Sequence, residues 1–417
     1  MRLVLYTGKG GVGKTTTAAT TAVCAAQRGR RTLIVSADAA HSLGDVLDHP
    51  LGSDPVPLTG NLTALEIDAR VEMARHWGQI RDYLVSLFRY QGIDEVVAEE
   101  LALLPGAEEL TTLFAVEEAA RSGSYDFIVV DCAPTDTTLR LLTLPDVAHG
   151  ALRLLLRLQR SIARVVTPLA RSLVPIPMPG SEVFADAERL LYDKLRGLRR
   201  RVTSSDTSVR LVVTPERMVI DEARRAFTDL CLFDLSCDGV VMNRLLPEAA
   251  LREEFFRHWG RLQAERVEEV KGVFAPLRVL NARLQDDEVV GLQRLEAHGR
   301  ELFAACEPDA VLSRMERIRF SRDPDAYRVH LPLPGARVEE LDVAKVEDEL
   351  VVRAGSMRRA LKLPRRIAPL ALGSARLADG QLEVVFPRER KDARERRDAR
   401  ERKGRRESKD GPPVWEA

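Results

Sequence analysis

The chain has 417 residues, and its 63 basic side chains are matched by 63 acidic ones. That balance supplies no global field arguing for nucleic acid, no DNA partner is expected, and the length accommodates more than one domain. Five cysteines without a C-x-x-C pair exclude a disulfide framework or zinc finger; with neither a signal peptide nor a roughly 20-residue apolar span, a cytoplasmic location is expected.

The first apolar run, RLVLYT (Arg2–Thr7), leads into glycines and then an Ala- and Thr-rich stretch ending at Gly29. That order reads as strand, loop and helix. Gly8, Gly13, Lys14 and Thr15 complete G-x-x-x-x-G-K-T, a phosphate-binding pattern. Glycines let backbone N–H groups converge on phosphate oxygens, and the helix N-terminus adds partial positive charge. Lys14 is expected to reach the β- and γ-phosphates, and the Thr15 hydroxyl to hold Mg²⁺. The expected ATP-binding set is Gly8, Lys9, Gly10, Gly11, Val12, Gly13, Lys14, Thr15 and Thr16. Lys9 is the odd member, because it cannot easily reach its own phosphates.

The run RTLIVS leads to Asp38, and YDFIVVD ends at Asp131. Open parallel sheets bind ligands at the carboxyl ends of their strands. There one carboxylate can hold a Mg²⁺ shell and another can position attacking water. Asp131 is assigned to the metal shell, through water, and Asp38 to the water; the alternative for each is a helix cap. Residues 71–120 and 151–201 read as helical, the second amphipathic and broken by Pro168, Pro175, Pro177 and Pro179. Further strands follow at RLVVT and GVVMN, and GLQRLEAHGRELFAAC reads as helix. From about Asp309 apolar and polar residues alternate with period two, punctuated by Pro, Gly and Asp. This predicts an all-β sandwich of short antiparallel strands. Residues 388–417 form a charged, locally basic tail with almost no apolar positions.

These motifs carry a resemblance. GKGGVGKTT, the set Asp38, Ala40, His41, Ser42, Leu43 and Asp45, then LPGAEEL, DCAPTDTTLRLLTLP and GVVMNRLLP together resemble the ArsA family. That family includes arsenite-pump ATPases and the guided-entry ATPases that target tail-anchored membrane proteins. The resemblance implies a deviant Walker A P-loop NTPase, α/β with a mostly parallel sheet and an inserted helical lobe. It implies that Asp38 activates the hydrolytic water, that Asn243 hydrogen-bonds adenine, and that 131–140 is a switch sensing the γ-phosphate. It also accounts for Lys9, which would reach a partner's nucleotide across a two-fold interface, as an arginine finger does. A homodimer with ATP between subunits follows.

The chain departs from the family pattern at Ala39, Asp136 and Thr137, where proline, glycine and histidine are usual. The helical insertions would form a lobe offering an apolar groove to a client. Leu154, Leu155, Leu158, Ile162 and Val166 fit that groove and a plain lobe core equally well. Residues 279–291 are expected to form a loop closing over the base. Arsenite capture ordinarily needs three converging thiolates, and Cys231 and Cys237 have no third neighbour in sequence. The family's zinc-bridging C-x-x-C is absent, so no zinc is expected.

Residues 319–386 resemble the α-crystallin domain of small heat-shock proteins, a holding or dimerising module or a structural appendage. The combination resembles a bacterial and plastid branch of the ArsA family. The expected organisation is an ATPase domain over 1–308, a β-domain over 309–387 and a tail over 388–417. The expected function is a homodimeric, Mg²⁺-dependent ATPase that captures and releases a hydrophobic client, such as a tail-anchored membrane-protein segment; the sequence names no membrane receptor. Alternatives are an arsenite or anion efflux ATPase, and a nucleotide-dependent scaffold whose β-domain binds the client.

Overall fold

The computed structural model describes residues 1–38, 42–68, 107–132 and 196–388. The expectations for residues 39–41, for the lobe over 71–106 and 151–195, for the switch beyond Cys132 and for the tail beyond Arg388 lie outside these residues. Contacts divide the chain into two compact units, Met1–Glu316 and Arg317–Ala417.

In the first unit the strands are β1 (Arg2–Thr7), β2 (Thr32–Ser36), β3 (Val56–Pro57), β4 (Leu62–Glu66), β5 (Phe127–Asp131), β6 (Thr207–Val213), β7 (Cys237–Leu245) and β8 (Arg278–Arg283). Among the described residues they form one sheet in the order β3-β4-β2-β5-β1-β6-β7-β8. Every pairing is parallel except β3 with β4. Strands β2, β5 and β6 are buried at every position, as a parallel sheet covered on both faces requires. This explains why their sequences read as continuous apolar runs rather than as alternations.

The helices are α1 (Lys14–Gln27), α2 (Leu43–Leu47), α3 (Ala107–Arg121), α4 (Arg217–Leu232), α5 (Glu248–Arg252), α6 (Arg257–Val273) and α7 (Leu292–Leu302). Helix α1 is built from small residues and is buried along almost its whole length, so β-strands and α7 can approach it closely. Gly29 stops it with φ at 84°, a left-handed conformation that glycine adopts without a Cβ penalty. At the α1–α7 contact, a Cβ on Gly299 would lie 2.1 Å from Cys24 Sγ and 3.0 Å from Thr20 Cγ2.

One expectation is corrected here. The stretch 279–291 is not loop throughout, because Arg278–Arg283 forms β8, parallel to β7. The physical reason is alternation: the buried Leu280 and Ala282 alternate with the exposed Asn281 and Arg283, as on an outer strand. Residues 284–291 alone remain to connect it to α7.

The second unit is all-β, as expected. Its strands are β9 (Arg319–Arg322), β10 (Ala326–Pro332), β11 (Leu341–Val346), β12 (Glu349–Ala354), β13 (Met357–Lys362), β14 (Ser374–Ala378) and β15 (Gln381–Pro387). They form two antiparallel sheets, β14-β15-β10-β9 and β11-β12-β13. Val329, Leu331, Leu350, Val352, Val384 and Phe386 are buried. Asp379 and Gly380, with φ of 49° and 69°, make the tight turn joining β14 to β15.

Candidate nucleotide and metal site

The glycine loop leaves the carboxyl end of β1 at the centre of the sheet and runs into the N-terminus of α1. Gly8 lies against the backbone of β6, where a Cβ would meet the Val212 carbonyl oxygen at 2.3 Å. Gly13 has φ of 92°, and a Cβ there would meet Asn243 Nδ2 at 2.3 Å. Two separate demands, backbone conformation and close approach, therefore select glycine at position 13. Behind it the Thr17 hydroxyl donates to the Gly13 carbonyl at 2.7 Å. Lys14 is buried and arches back over the loop, its Nζ donating to the Lys9 carbonyl at 3.4 Å. Thr15 faces the start of α2, with its Oγ1 3.2 Å from Ser42 Oγ.

Asp131 ends β5 in register with Tyr6 on β1 and Ser36 on β2. It is 0 % exposed, and neither carboxylate oxygen has a hydrogen bond of normal geometry. Burial pushes its pKa up to about 7; Thr15 and Lys14 oppose that shift, and Asp38 and Glu66 add to it. A buried, poorly satisfied carboxylate beside a threonine hydroxyl and an ammonium fits the outer shell of a hydrated divalent cation. Thr15 and Asp131 are the residues that would hold Mg²⁺, which would supply positive charge beside the phosphates.

Asp38 lies beyond the end of β2, half-buried, and its N–H donates to Ser36 Oγ at 3.4 Å. Its charge acts on Asp131, so the two carboxylates share one electrostatic environment. Asn243 sits near the end of β7, its Nδ2 donating to the Val12 carbonyl at 2.8 Å. Its Oδ1 accepts from the Arg244 N–H at 2.9 Å. The amide keeps one N–H and one lone pair beyond these bonds. Lys9 turns away from this cradle: its side chain is 37 % exposed, with Nζ 3.9 Å from Glu222 Oε2 on α4.

Beside Gly13 and Thr16 lies a cavity of about 620 Å³, within the range of small-molecule sites. Asn243, Leu284, Val290 and His298 also line it. The structure thus brings Gly13, Thr16 and Asn243 to one pocket, with Lys14, Thr15 and Asp131 gathered at the loop. Sequence reasoning missed His298 and Glu222. A usable signal existed for His298, which falls on the buried stripe of α7 with Leu295, Gly299 and Leu302.

Comparison with known proteins decides the family. Residues 1–304 match the family model described as an anion-transporting ATPase, ArsA_ATPase. The chain belongs to the ArsA ATPase family. It is an ATP-hydrolysing P-loop enzyme, and residues 324–386 match the HSP20-like domain found in ArsA. "Putative arsenical pump-driving ATPase 1" of Aquifex aeolicus (strain VF5) is 34% identical, over 89% of this chain and 96% of its own. A relative from Chlorobaculum tepidum with the same name, unnumbered, is 34% identical over 94% of this chain and 97% of its own. "ATPase ASNA1 homolog 1" of Paramecium tetraurelia is 26% identical over 71% of this chain and 90% of its own.

Among the described residues no helix is long and apolar enough to cross a membrane. No group of three or more His, Cys, Asp or Glu side chains among them converges as a metal site. Cys24, Cys132, Cys231 and Cys237 are buried. Burial raises the Cys24 pKa to about 11 and drives those of Cys231 and Cys237 up.

Proposed function

We propose that this ArsA-family ATPase works as a cytoplasmic homodimer that uses Mg²⁺ and ATP to capture and release a hydrophobic client, a membrane-protein segment. The position of Lys9 carries the reading. Its ammonium stands outside its own cradle while Lys14 fills the inside, which suits a cation meant for a second subunit's nucleotide. ATP bound between two subunits would stabilise the closed dimer selectively, and hydrolysis would release it. In this reading Lys14 and the loop N–H groups bind phosphates, Asp38 positions the water, and Asn243 meets adenine.

The test is direct. Mass by light scattering in the presence of ATP should be that of two chains, and Lys9→Ala should lose at least about a hundredfold in turnover. Asp38→Asn should bind ATP and stall. Undiminished hydrolysis by Lys9→Ala sinks the trans arrangement.

The names of two relatives favour a second reading, that the enzyme drives an arsenical or anion pump. Against it, a soft oxyanion needs thiolates. Cys24, Cys231 and Cys237 are held protonated by burial. Arsenite-stimulated ATP hydrolysis would establish the pump reading. Client binding that vanishes when Arg317 to Ala417 are removed would instead place the client on the β-unit.

A further inference from the structure

Four side chains stand in one row at the carboxyl edge of the sheet. Glu66 closes β4 in register with Ser36 on β2; Ser36 is in register with Asp131 on β5, and Asp131 with Tyr6 on β1. In-register neighbours of a parallel sheet point to the same face, and the Tyr6 hydroxyl reaches Thr21 on α1. Glu66 therefore lies on the face that α1 covers, in the row of Asp131.

Its side chain belongs to a residue only 8 % exposed, and a carboxylate so deep needs hydrogen-bond donors. Glu66 Oε1 accepts from the Gly44 N–H at 3.0 Å. Gly44 stands in the first turn of α2, where backbone N–H groups have no acceptor within the helix. Two residues earlier, Ser42 Oγ is 3.2 Å from Thr15 Oγ1, next to Lys14 at the start of α1. Glu66 thus ties the beginning of α2 to the sheet, while Ser42 ties it to the phosphate loop. Asp38 is only four residues before Ser42, so holding Ser42 limits how far Asp38 can move. Charge is not the useful part of Glu66. Like Asp38 it pushes the Asp131 pKa up, against the ionised form that a cation shell would use.

We propose that Glu66 is a positioning residue for ATP hydrolysis, holding Gly44 so that Ser42, and Asp38 before it, are fixed beside the phosphate loop. It touches no reacting atom and acts through these two residues. The assignment deepens the role given to Asp38 above and rests on reading the glycine loop as the phosphate site.

The experiment measures kcat and KM for ATP on the full chain with Mg²⁺, for the parent, Glu66→Ala and Glu66→Gln. Calorimetry with ADP, which lacks the γ-phosphate, counts binding-competent sites in each. Glu66→Ala should lower kcat per ADP-binding site by about ten- to a hundredfold, with KM and ADP affinity within about twofold. Glu66→Gln, whose amide oxygen can accept the same N–H, should stay within about threefold of the parent. Parental kcat in Glu66→Ala overturns the proposal, because the bond is then idle. Glu66→Gln as slow as Glu66→Ala overturns it too, by making the charge the active feature. So does loss of ADP binding confined to Glu66→Ala, which would make Glu66 a prop of the loop. A parent that binds no ADP instead removes the phosphate-site reading, and the proposal with it.

Discussion

Tyr6 and Arg210 face one another in register across β1 and β6, and Arg210 Nη1 donates to the Tyr6 hydroxyl oxygen at 3.1 Å with both side chains fully buried. Arg210 also donates to the Pro308 and Ala310 carbonyls, each at 2.8 Å, and to Asp238 Oδ1 at 3.2 Å. Asp238 in turn accepts from Arg2 at 2.7 Å and from the Leu312 N–H at 3.1 Å. On the other side the Tyr6 hydroxyl is 2.6 Å from Thr21 Oγ1. Thr21 donates to the Thr17 carbonyl, and Thr17 to that of Gly13. An unbroken polar path thus joins the phosphate loop to the backbone at 308–312. Burial pulls the Arg210 pKa down, and Tyr6 and Asp238 more than reverse that pull, so the guanidinium stays charged.

Removing one member of such a network leaves its buried partners under-satisfied. Arg210→Met should cost about 3–5 kcal/mol because two backbone carbonyls lose their donor in a dry site and Asp238 is left with only Arg2 and the Leu312 N–H. Tyr6→Phe should cost only about 1–2 kcal/mol. Urea unfolding of both variants checks the order. A cost for Arg210→Met no larger than that for Tyr6→Phe would show the network to be incidental.

Asp131 makes stability depend on pH in a defined direction. In the folded, nucleotide-free chain it keeps its proton up to about pH 7, whereas its ordinary value is 3.8. Between those values the native state holds the extra proton, so this residue's contribution to stability falls as pH rises and levels off above about 7. Asp131→Asn abolishes the slope and should be the more stable protein at pH 8, by up to about 4 kcal/mol. It should also lose hydrolysis. Thermal melts at pH 5 and pH 8 decide the matter: parallel behaviour of variant and parent refutes the assignment.

Lys9 and Glu222 form a partly exposed pair, worth no more than about 1 kcal/mol. Glu222→Gln should therefore leave the melting temperature nearly unchanged. If Glu222 merely parks Lys9, turnover in Glu222→Gln should equal or exceed that of the parent. A loss approaching that of Lys9→Ala would make Glu222 itself part of the reaction.

Gly299→Ala should destabilise the protein by about 1–3 kcal/mol, because the new methyl would overlap Cys24 Sγ. Cys24→Ala in the same chain should recover most of that loss, as coupled neighbours do. Additive losses in the double variant, measured by thermal denaturation, would place the strain elsewhere.

The loop, its strand and the carboxylate at the end of β5 were legible because each is written in a few consecutive residues. A glycine pattern before a helix, or an apolar run ending in Asp131, needs no knowledge of distant partners. Asn243 was reached only through family likeness, since its contact with Val12 joins residues far apart in sequence. Arg210 and Asp238 left a trace, one basic and one acidic residue inside apolar strands, but only the pairing of β6 with β7 makes them partners. His298 depends on how α7 packs on α1, which no local pattern encodes. Period-two alternation marked β8 as it marked the β-unit, yet the expected loop over the base obscured it.

The bonds to Pro308, Ala310 and Leu312 bear on where the protein can be cut. A truncation ending at Cys306 would leave Arg210 and Asp238 without three backbone partners, and what looked like a tidy domain excision would damage the floor beneath the phosphate loop. A cut after Glu316 spares all of them, so only that version can tell whether the enzyme runs without its C-terminal unit.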